Sequence, residues 1–295
     1  MSEQEWLAAR FEQYRPRMRA VSYRMLGSLS EADDAVQEAW LRLSRSDTSQ
    51  VDDLGAWLTT VVGRICLDAL RSRRARHEEL TDPHLPDPIV SPVDASDPEN
   101  EALIADSVGL ALLVVLETLS PPERLVIVLH DIFELPFDQI APIVGRSEPA
   151  TRQLASRARR RLKAGATPDV DLAGQWRVVD AFLAASRDGD FDALLNVLDP
   201  DVVRRLDAGE AGPDLPRILR GAKEVASGAL LFRTLGLDFR RVLVNGAPGV
   251  LSFADGKPVT VLGFTVAHGK ITELNVLADP ARLERLDLSR LASIG

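Results

Sequence analysis

Apolar positions keep a helical period through the first half of this 295-residue chain and change to strand-like runs only after residue 238. That switch excludes a fold built from one kind of layer, because a helical stripe and a strand face bury their apolar sides differently. Residues 3–77 are expected to be helical nearly throughout: Met18, Val21 and Met25 recur at helical spacing, as do Ala35, Val36, Ala39, Trp40 and Leu43. Ser30, followed by Glu31 and Asp33, is the expected start of the second helix; a hydroxyl caps free amides, and acids suit the N-terminal dipole. A third helix is expected from about Leu54 to Arg76. Helical spacing returns from Glu101 to Leu119, and Ser120, Pro121, Pro122 and Glu123 restart a helix, proline being tolerated in a first turn. Shorter helices are expected near Phe137–Val144 and Glu148–Lys163, then at Leu172–Arg187, Phe191–Leu198 and Pro216–Leu231. Strands are expected at Phe239–Val244, Val250–Phe253, Val259–Ala267 and Ile271–Leu277, with Asp255-Gly256 and His268-Gly269 as hairpin turns.

The expected architecture is multidomain. Two all-α domains, residues 1–77 and 101–165, are joined by a linker at 78–100, and an α+β cone with a curved antiparallel sheet follows at 172–290. The linker mixes Pro83, Pro86, Pro88, Pro92 and Pro98 with many aspartates, so it is expected to be extended. With 45% hydrophobic and 27% charged residues the chain has the profile of a globular protein rather than a disordered one. No stretch approaches the roughly 20 apolar residues a membrane span needs, and residues Met1 to Arg10 carry acids without an apolar run, unlike a secretory signal. The lone Cys66 cannot form an internal disulfide, and with four scattered histidines it makes no zinc pattern. No cofactor or metal is expected, no membrane partner either, and a reducing cytoplasm is the expected location.

A net charge of −9 counts at first against nucleic acid as a partner. DNA affinity depends, however, on where cations cluster, through counterions released from phosphates. Two clusters stand out, Arg64, Arg71, Arg73, Arg74, Arg76 and Arg152, Arg157, Arg159, Arg160, Arg161, Lys163, while acids concentrate in Asp82 to Glu101. Solvated helix faces are the alternative for either cluster alone. The segment from Asp138 to Leu162 decides more. Ile140, Ala141 and Val144 form a small apolar face, Gly145 permits a tight turn, and Ser147 is placed to cap the next helix. In that helix Thr151, Leu154, Ala155, Ala158 and Leu162 fall on one side, with Arg152, Gln153, Ser156 and Arg160 opposite. This is the pattern of a helix-turn-helix whose second helix reads base edges in the major groove. The candidate contact set is Arg146, Ser147, Thr151, Arg152, Gln153, Ser156, Arg157 and Arg160, with Arg146, Arg157, Arg159, Arg161 and Lys163 available to flanking phosphates. Pro142 counts against a short helix unless it lies in the first turn.

Asp33 to Leu43, followed by Trp57 to Arg74, resembles region 2 of the extracytoplasmic-function sigma factors, and Leu119 to Leu125, continued through the helix-turn-helix to Leu162, resembles their region 4. The resemblance covers about residues 5–164, with both motif sets in the family's order. It implies a subunit that directs core RNA polymerase to promoter DNA and starts transcription there. Asp33, Asp34, Gln37, Glu38 and Arg42 match the positions that dock on polymerase, although a capped surface helix would carry the same acids. Trp57, Arg64, Asp68, Arg71, Arg73, Arg74 and Arg76 match the part that melts and reads the −10 element. Captured bases need aromatic and polar surfaces while arginines hold the backbone; for Trp57 core packing is the more common role. The recognition helix would read the −35 element.

The C-terminal part resembles a SnoaL-like, nuclear-transport-factor-like cone, and the whole resembles the sigma factors that carry such an extension in place of a separate anti-sigma factor. Asp207 to Gly212, with Gly209, stands where that group has an aspartate and a glycine-rich run. Asp279, Pro280, Arg282 and Leu283 stand where it has an Asn-Pro-Asp-Lys-Leu motif. The resemblance implies a regulatory domain, with a small ligand as a candidate occupant, that contacts the sigma halves or their linker. Related cones include enzymes, and Asp207, Arg220, Asp238 and His268 are the groups an enzyme would draw on, but no catalytic pair converges and fold analogy is weak support. A one-component regulator, sensing a ligand in the cone and binding an operator alone, is the other alternative; it needs no region 2.

Overall fold

In the computed structural model residues 3–46, 53–76, 84–93, 109–162, 168–210, 215–233, 235–286 and 288 are described, and they form two compact units. One unit holds 3–46, 53–76 and 115–162; the other holds 84–93, 109–114 and the described residues from 168 onward. Residues 77–83 and 94–100 of the expected linker, 101–108 of the expected helix after it, and Lys163 lie outside the described residues.

The first unit is helical. Helices α1 (Glu3–Leu26), α2 (Leu29–Leu43) and α3 (Leu54–Arg76) pack on one another. Then come the end of α4 (Leu110–Glu117), which begins in the second unit, α5 (Pro121–Val126), a π-helical turn (Ile127–Ile132), α6 (Phe137–Val144) and α7 (Glu148–Leu162). Helix α2 starts earlier than expected: its cap is Ser28, not Ser30. Gly27 ends α1 at a φ of 72°, which leaves Ser28 extended, and its hydroxyl accepts from the Glu31 amide. Ala32, Ala35, Val36, Ala39 and Leu43 form the buried stripe of α2. Helix α5 opens on a capping box in which Glu123 accepts from the Ser120 amide at 3.0 Å and its hydroxyl at 2.6 Å.

Two features join these helices into one core. A Cβ on Gly63 of α3 would stand 3.1 Å from Ile143 and 3.4 Å from Leu125, so bare backbone brings α3 against α5 and α6. Arg124 is buried and donates to the carbonyls of Leu116 at 2.8 Å and Met25 at 2.7 Å. It thus satisfies free carbonyls in the last turns of α4 and α1. Burial pushes its pKa down to about 10, which leaves it cationic at neutral pH. Pro142 is the sixth residue of α6, beyond the first turn, but on an exposed face where water can serve the carbonyl left without an amide.

The second unit sets helices against a curved, open sheet. Helices α8 (Leu172–Asp188), α9 (Phe191–Val197) and α10 (Ala222–Arg233) accompany strands β1 (Val90–Ser91), β2 (Leu198–Asp207), β3 (Ile218–Arg220), β4 (Asp238–Val244), β5 (Ala247–Ala254), β6 (Lys257–Ala267) and β7 (Lys270–Leu277), and α11 (Pro280–Leu283) follows. The sheet order is β1-β4-β5-β6-β7-β2-β3. Hairpins β4–β7 follow the sequence expectation, and the turns Asn245-Gly246, Asp255-Gly256 and His268-Gly269 all have positive φ at both residues, the mirror-image geometry that matches strand twist.

Three expectations are corrected here. The sheet is mixed rather than antiparallel, because β2 runs parallel to β7, Arg204 opposite Leu274 and Asp207 opposite Leu277. Residues 198–207, expected only as the end of a helix and a loop, form β2; its inward row Val202, Arg204, Leu206 carries an arginine, which hides the alternation. The expected helix Pro216–Leu231 is β3 followed by α10, divided at Gly221 with φ 89°. The core joins Trp176, Val179 and Phe182 of α8 to Val202, Val225, Phe264, Ile271 and Leu274, with Phe182 and Phe264 edge to face at 5.5 Å.

Candidate functional site

Helix α7 is aimed by its inward anchors. Leu154, Ala155 and Ala158 are buried against the bundle, and Gly145, at φ 67° and ψ 40°, turns the chain between α6 and α7. Arg146, Ser147, Arg152, Gln153, Ser156, Arg157 and Arg160 are exposed. Thr151 is not available to DNA: it is 0% exposed, and its hydroxyl donates to the Ser147 carbonyl at 3.0 Å. Its position on the inward side, four residues from Ala155, decides this.

The arginines of α7 divide by partner. Arg159 is held by Asp131 at 2.7 and 2.6 Å, which raises its pKa, and Arg161 by Glu123 at 2.8 Å. Arg152 is bridged to Glu148 at 3.0 Å and lies over the Phe137 ring at 4.9 Å, which orients it without burying it. Among the described residues Arg146, Arg157 and Arg160 make no ion pair with an acid.

On α2, Asp34, Gln37, Glu38 and Arg42 share the outward face, with Glu38 bonded to Arg42 at 2.8 Å. Asp33 is drawn to Arg19 of α1 at 2.6 Å. Leu41, 37% exposed on the same face, was not foreseen; an apolar side chain among acids is the signal that marks it. On α3, Trp57, Arg64, Asp68 and Arg71 form one stripe, Trp57 half-buried and the other three exposed. Arg73 departs from the DNA-facing expectation: it donates to the Leu26 carbonyl at 3.0 Å and pairs with Glu31, tying α3 to the ends of its neighbours. The side chains of Arg74 and Arg76 lie outside the described residues.

The second unit holds a different arrangement. Residues 84–93, which the sequence marks as open linker, lie along the sheet. Val90 and Ser91 add an edge strand to β4, opposite Val244 and Leu243. Asn245 extends the pairing: its amide donates to Ile89 and its side-chain oxygen accepts from the Ile89 amide. Upstream, the Asp207 carboxylate accepts from the Leu85 amide at 2.9 Å and from Arg282 at 2.5 Å. Arg282 also donates to the Leu85 carbonyl at 2.7 Å and to Asp87 at 2.6 Å. Leu85 and Ile89 are buried. The expected regulatory positions therefore converge on one clamp. Asp279 caps α11, Pro280 takes its first turn and Leu283 is buried beneath it. Gly209 has φ 59°, and a Cβ there would stand 2.7 Å from Asp279, so only glycine allows this approach. Gly212 lies outside the described residues. The signal missed in the sequence is the apolar set Leu85, Ile89 and Val90 inside a proline-rich acidic run.

The groups an enzyme would draw on do not meet. Asp207 is spent on the clamp, Arg220 is exposed on β3, Asp238 is exposed at the start of β4, and His268 is a turn residue whose amide donates to Asp169. No group of metal-ligating side chains occurs among the described residues, and no described helix is long and apolar enough to cross a membrane.

Residues 10–76 match the family model Sigma-70 region 2, and residues 109–162 match Sigma-70, region 4. The chain is 38% identical over 296 residues to the probable ECF RNA polymerase sigma factor SigI of Mycobacterium tuberculosis, covering 97% of this chain and 98% of that one. It is 39% identical over 286 residues to the ECF RNA polymerase sigma factor SigJ of the same organism, covering 92% and 91%. The crystal structure of SigJ superimposes with a TM-score of 0.78 at 35% identity, over 95% of this chain and 99% of that one.

Proposed function

Because the chain belongs to the extracytoplasmic-function RNA polymerase sigma factors, we propose that it positions core polymerase on promoters through three surfaces and that its C-terminal unit governs the linker between them. The chain is a sigma factor, and in that role it performs no chemical step of its own. Asp33, Asp34, Gln37, Glu38 and Arg42 are the proposed polymerase contacts. Trp57, Arg64, Asp68 and Arg71, continued by Arg74 and Arg76, are the proposed −10 surface. Arg146, Ser147, Arg152, Gln153, Ser156, Arg157 and Arg160 are the proposed −35 surface, with Arg152, Gln153, Ser156 and Arg160 suited to base edges and Arg146 and Arg157 to phosphates.

The observation that carries the regulatory part is the buried Asp207–Arg282 pair bonded to Leu85 and Asp87. Promoter elements lie at set separations, so a linker held by strand pairing and ion pairs limits the spacings the two DNA contacts can reach together. A fused domain with this hold can do the work of a separate anti-sigma factor, in the cytoplasm where polymerase resides. A stand-alone operator-binding regulator would leave the region 2 match without a role.

Run-off transcription with core polymerase tests both parts. Wild type is expected to start at specific promoters, and Arg152→Ala/Arg160→Ala to lose those starts. Arg282→Ala is expected to widen the range of −35 to −10 spacings used. Unchanged starts in the double variant would reject the −35 assignment, and an unchanged spacing profile would reject the clamp.

A further inference from the structure

A cavity of about 520 Å³ in the second unit lies between α8, α10 and the concave face of the sheet, within the size range of small-molecule sites. Its walls are apolar, with Phe182, Val225, Leu262, Leu274 and Val276 facing the space. Its polar floor consists of Arg204 and a hydroxyl pair in which Thr260 donates to Ser252 at 2.8 Å.

Arg204 is the anomaly. It is 8% exposed, one terminal nitrogen donates to the Pro216 carbonyl at 2.9 Å, and the other is buried without any partner. Burial lowers its pKa, the direction expected of a cation short of compensation. Arg205 on the same strand has Glu273 at 3.0 Å, and Arg282 has both Asp207 and Asp87. The fold thus provides carboxylates for Arg205 and Arg282 and, among the described residues, none for Arg204, the buried arginine that lines the cavity. A buried guanidinium without a counter-ion is costly. At the mouth Arg187 and Arg233 are exposed beside a single acid, Asp238, so the entrance also favours an anion.

We propose that this cavity binds an amphipathic monocarboxylate, its carboxylate paired with Arg204 and its apolar body along Phe182, Leu262 and Leu274. A single carboxylate suits the planar guanidinium, and a strongly hydrated phosphate would lose more on entering such walls. The inference goes beyond the clamp. Binding is read without polymerase, so failure here leaves the linker reading intact, and failure of the spacing test leaves this one intact.

The experiment is calorimetric titration of the full chain with decanoate, decanol and decyltrimethylammonium, each below its micellar range. One saturable decanoate per chain is expected, with decanol at least about tenfold weaker and the ammonium weaker again. Arg204→Met is expected to lose about tenfold or more for decanoate with decanol nearly unchanged, and Arg204→Lys to recover part of the loss. Should Arg204→Met fail to fold, the comparison of the three probes on the intact chain decides, together with Ala229→Leu. That variant fills the cavity from α10 and is expected to weaken decanoate and decanol alike. Equal affinity for decanoate and decanol, tighter binding of the ammonium, or no saturable binding of decanoate would overturn the proposal.

Discussion

Arg282 and Asp207 are each 6% exposed, so neither charge is supported by water. Removing Arg282 takes the guanidinium from both Asp207 and Asp87, and Arg282→Ala is expected to lower the stability of the second unit by about 3–5 kcal/mol in urea unfolding. The paired replacement Asp207→Leu/Arg282→Met is expected to cost clearly less; equal losses would show that the charge pair is not what matters. Glu123 permits a pH prediction. Burial pushes its carboxyl up, but the hydrogen bonds from Ser120 and the charges of Arg161 and Arg157 outweigh it, and the group lies below its ordinary value. A depressed folded-state pKa contributes stability above the ordinary value, lost as the pH falls through the folded one. The stability gap between wild type and Glu123→Gln is therefore expected to shrink as the pH drops below the ordinary 4.5. A gap that grows on acidification would contradict the arrangement. Cys66, whose thiol burial pushes up to about 12, is expected to stay unreactive toward thiol reagents in the folded chain.

At the scale of elements, α7 shows how far a period can be trusted. The sequence places Leu154, Ala155 and Ala158 inward and Arg152, Gln153, Ser156 and Arg160 outward, as the structure has them. Thr151, included in the expected DNA-contact set, follows the same period into the core instead. Thr151→Val is therefore expected to leave the −35 preference unaltered in a promoter-mutant series. Arg157→Ala is expected to weaken binding evenly across sequences and to reduce the salt slope by about one. A sequence-dependent effect of Arg157→Ala would move that residue to the base-reading set. Strand β2 shows the opposite case. With Pro200 and the adjacent Arg204 and Arg205 it carries no legible strand signal, and it forms because β7 and β3 supply partners on both sides.

For the chain as a whole, residues 84–93 of the segment between the two sigma regions lie along the sheet of the second unit. Amide exchange checks this directly. The amides of Leu85 and Ile89, bonded to Asp207 and Asn245, are expected to exchange slowly in wild type. The Leu85 amide is expected to be released in Arg282→Ala while the β5–β6 hairpin stays protected. Fast exchange at Leu85 in the wild type would mean that the clamp is open in solution. Arg204, the clamp and the linker strand lie in one unit, with Arg204 and Asp207 on the same strand.

By itself the sequence determined what depends on neighbours along the chain. The helical spans, the hairpin turns at Asp255-Gly256 and His268-Gly269, the helix-turn-helix and the resemblance to two sigma regions all follow from spacing and turn chemistry within a few residues. Tertiary structure alone decided which charges are free. Arg282 meets Asp87 across 195 positions and Asp207 across 75, Arg73 is consumed by Glu31, and Arg204 is left facing a cavity. No local pattern encodes such choices, because each guanidinium takes whichever oxygen the folded backbone brings within about 3 Å. The same holds for residues 84–93 of the linker: composition specified an extended chain, and only the exposed edge of β4 and the Asp207 carboxylate determined where those residues lie.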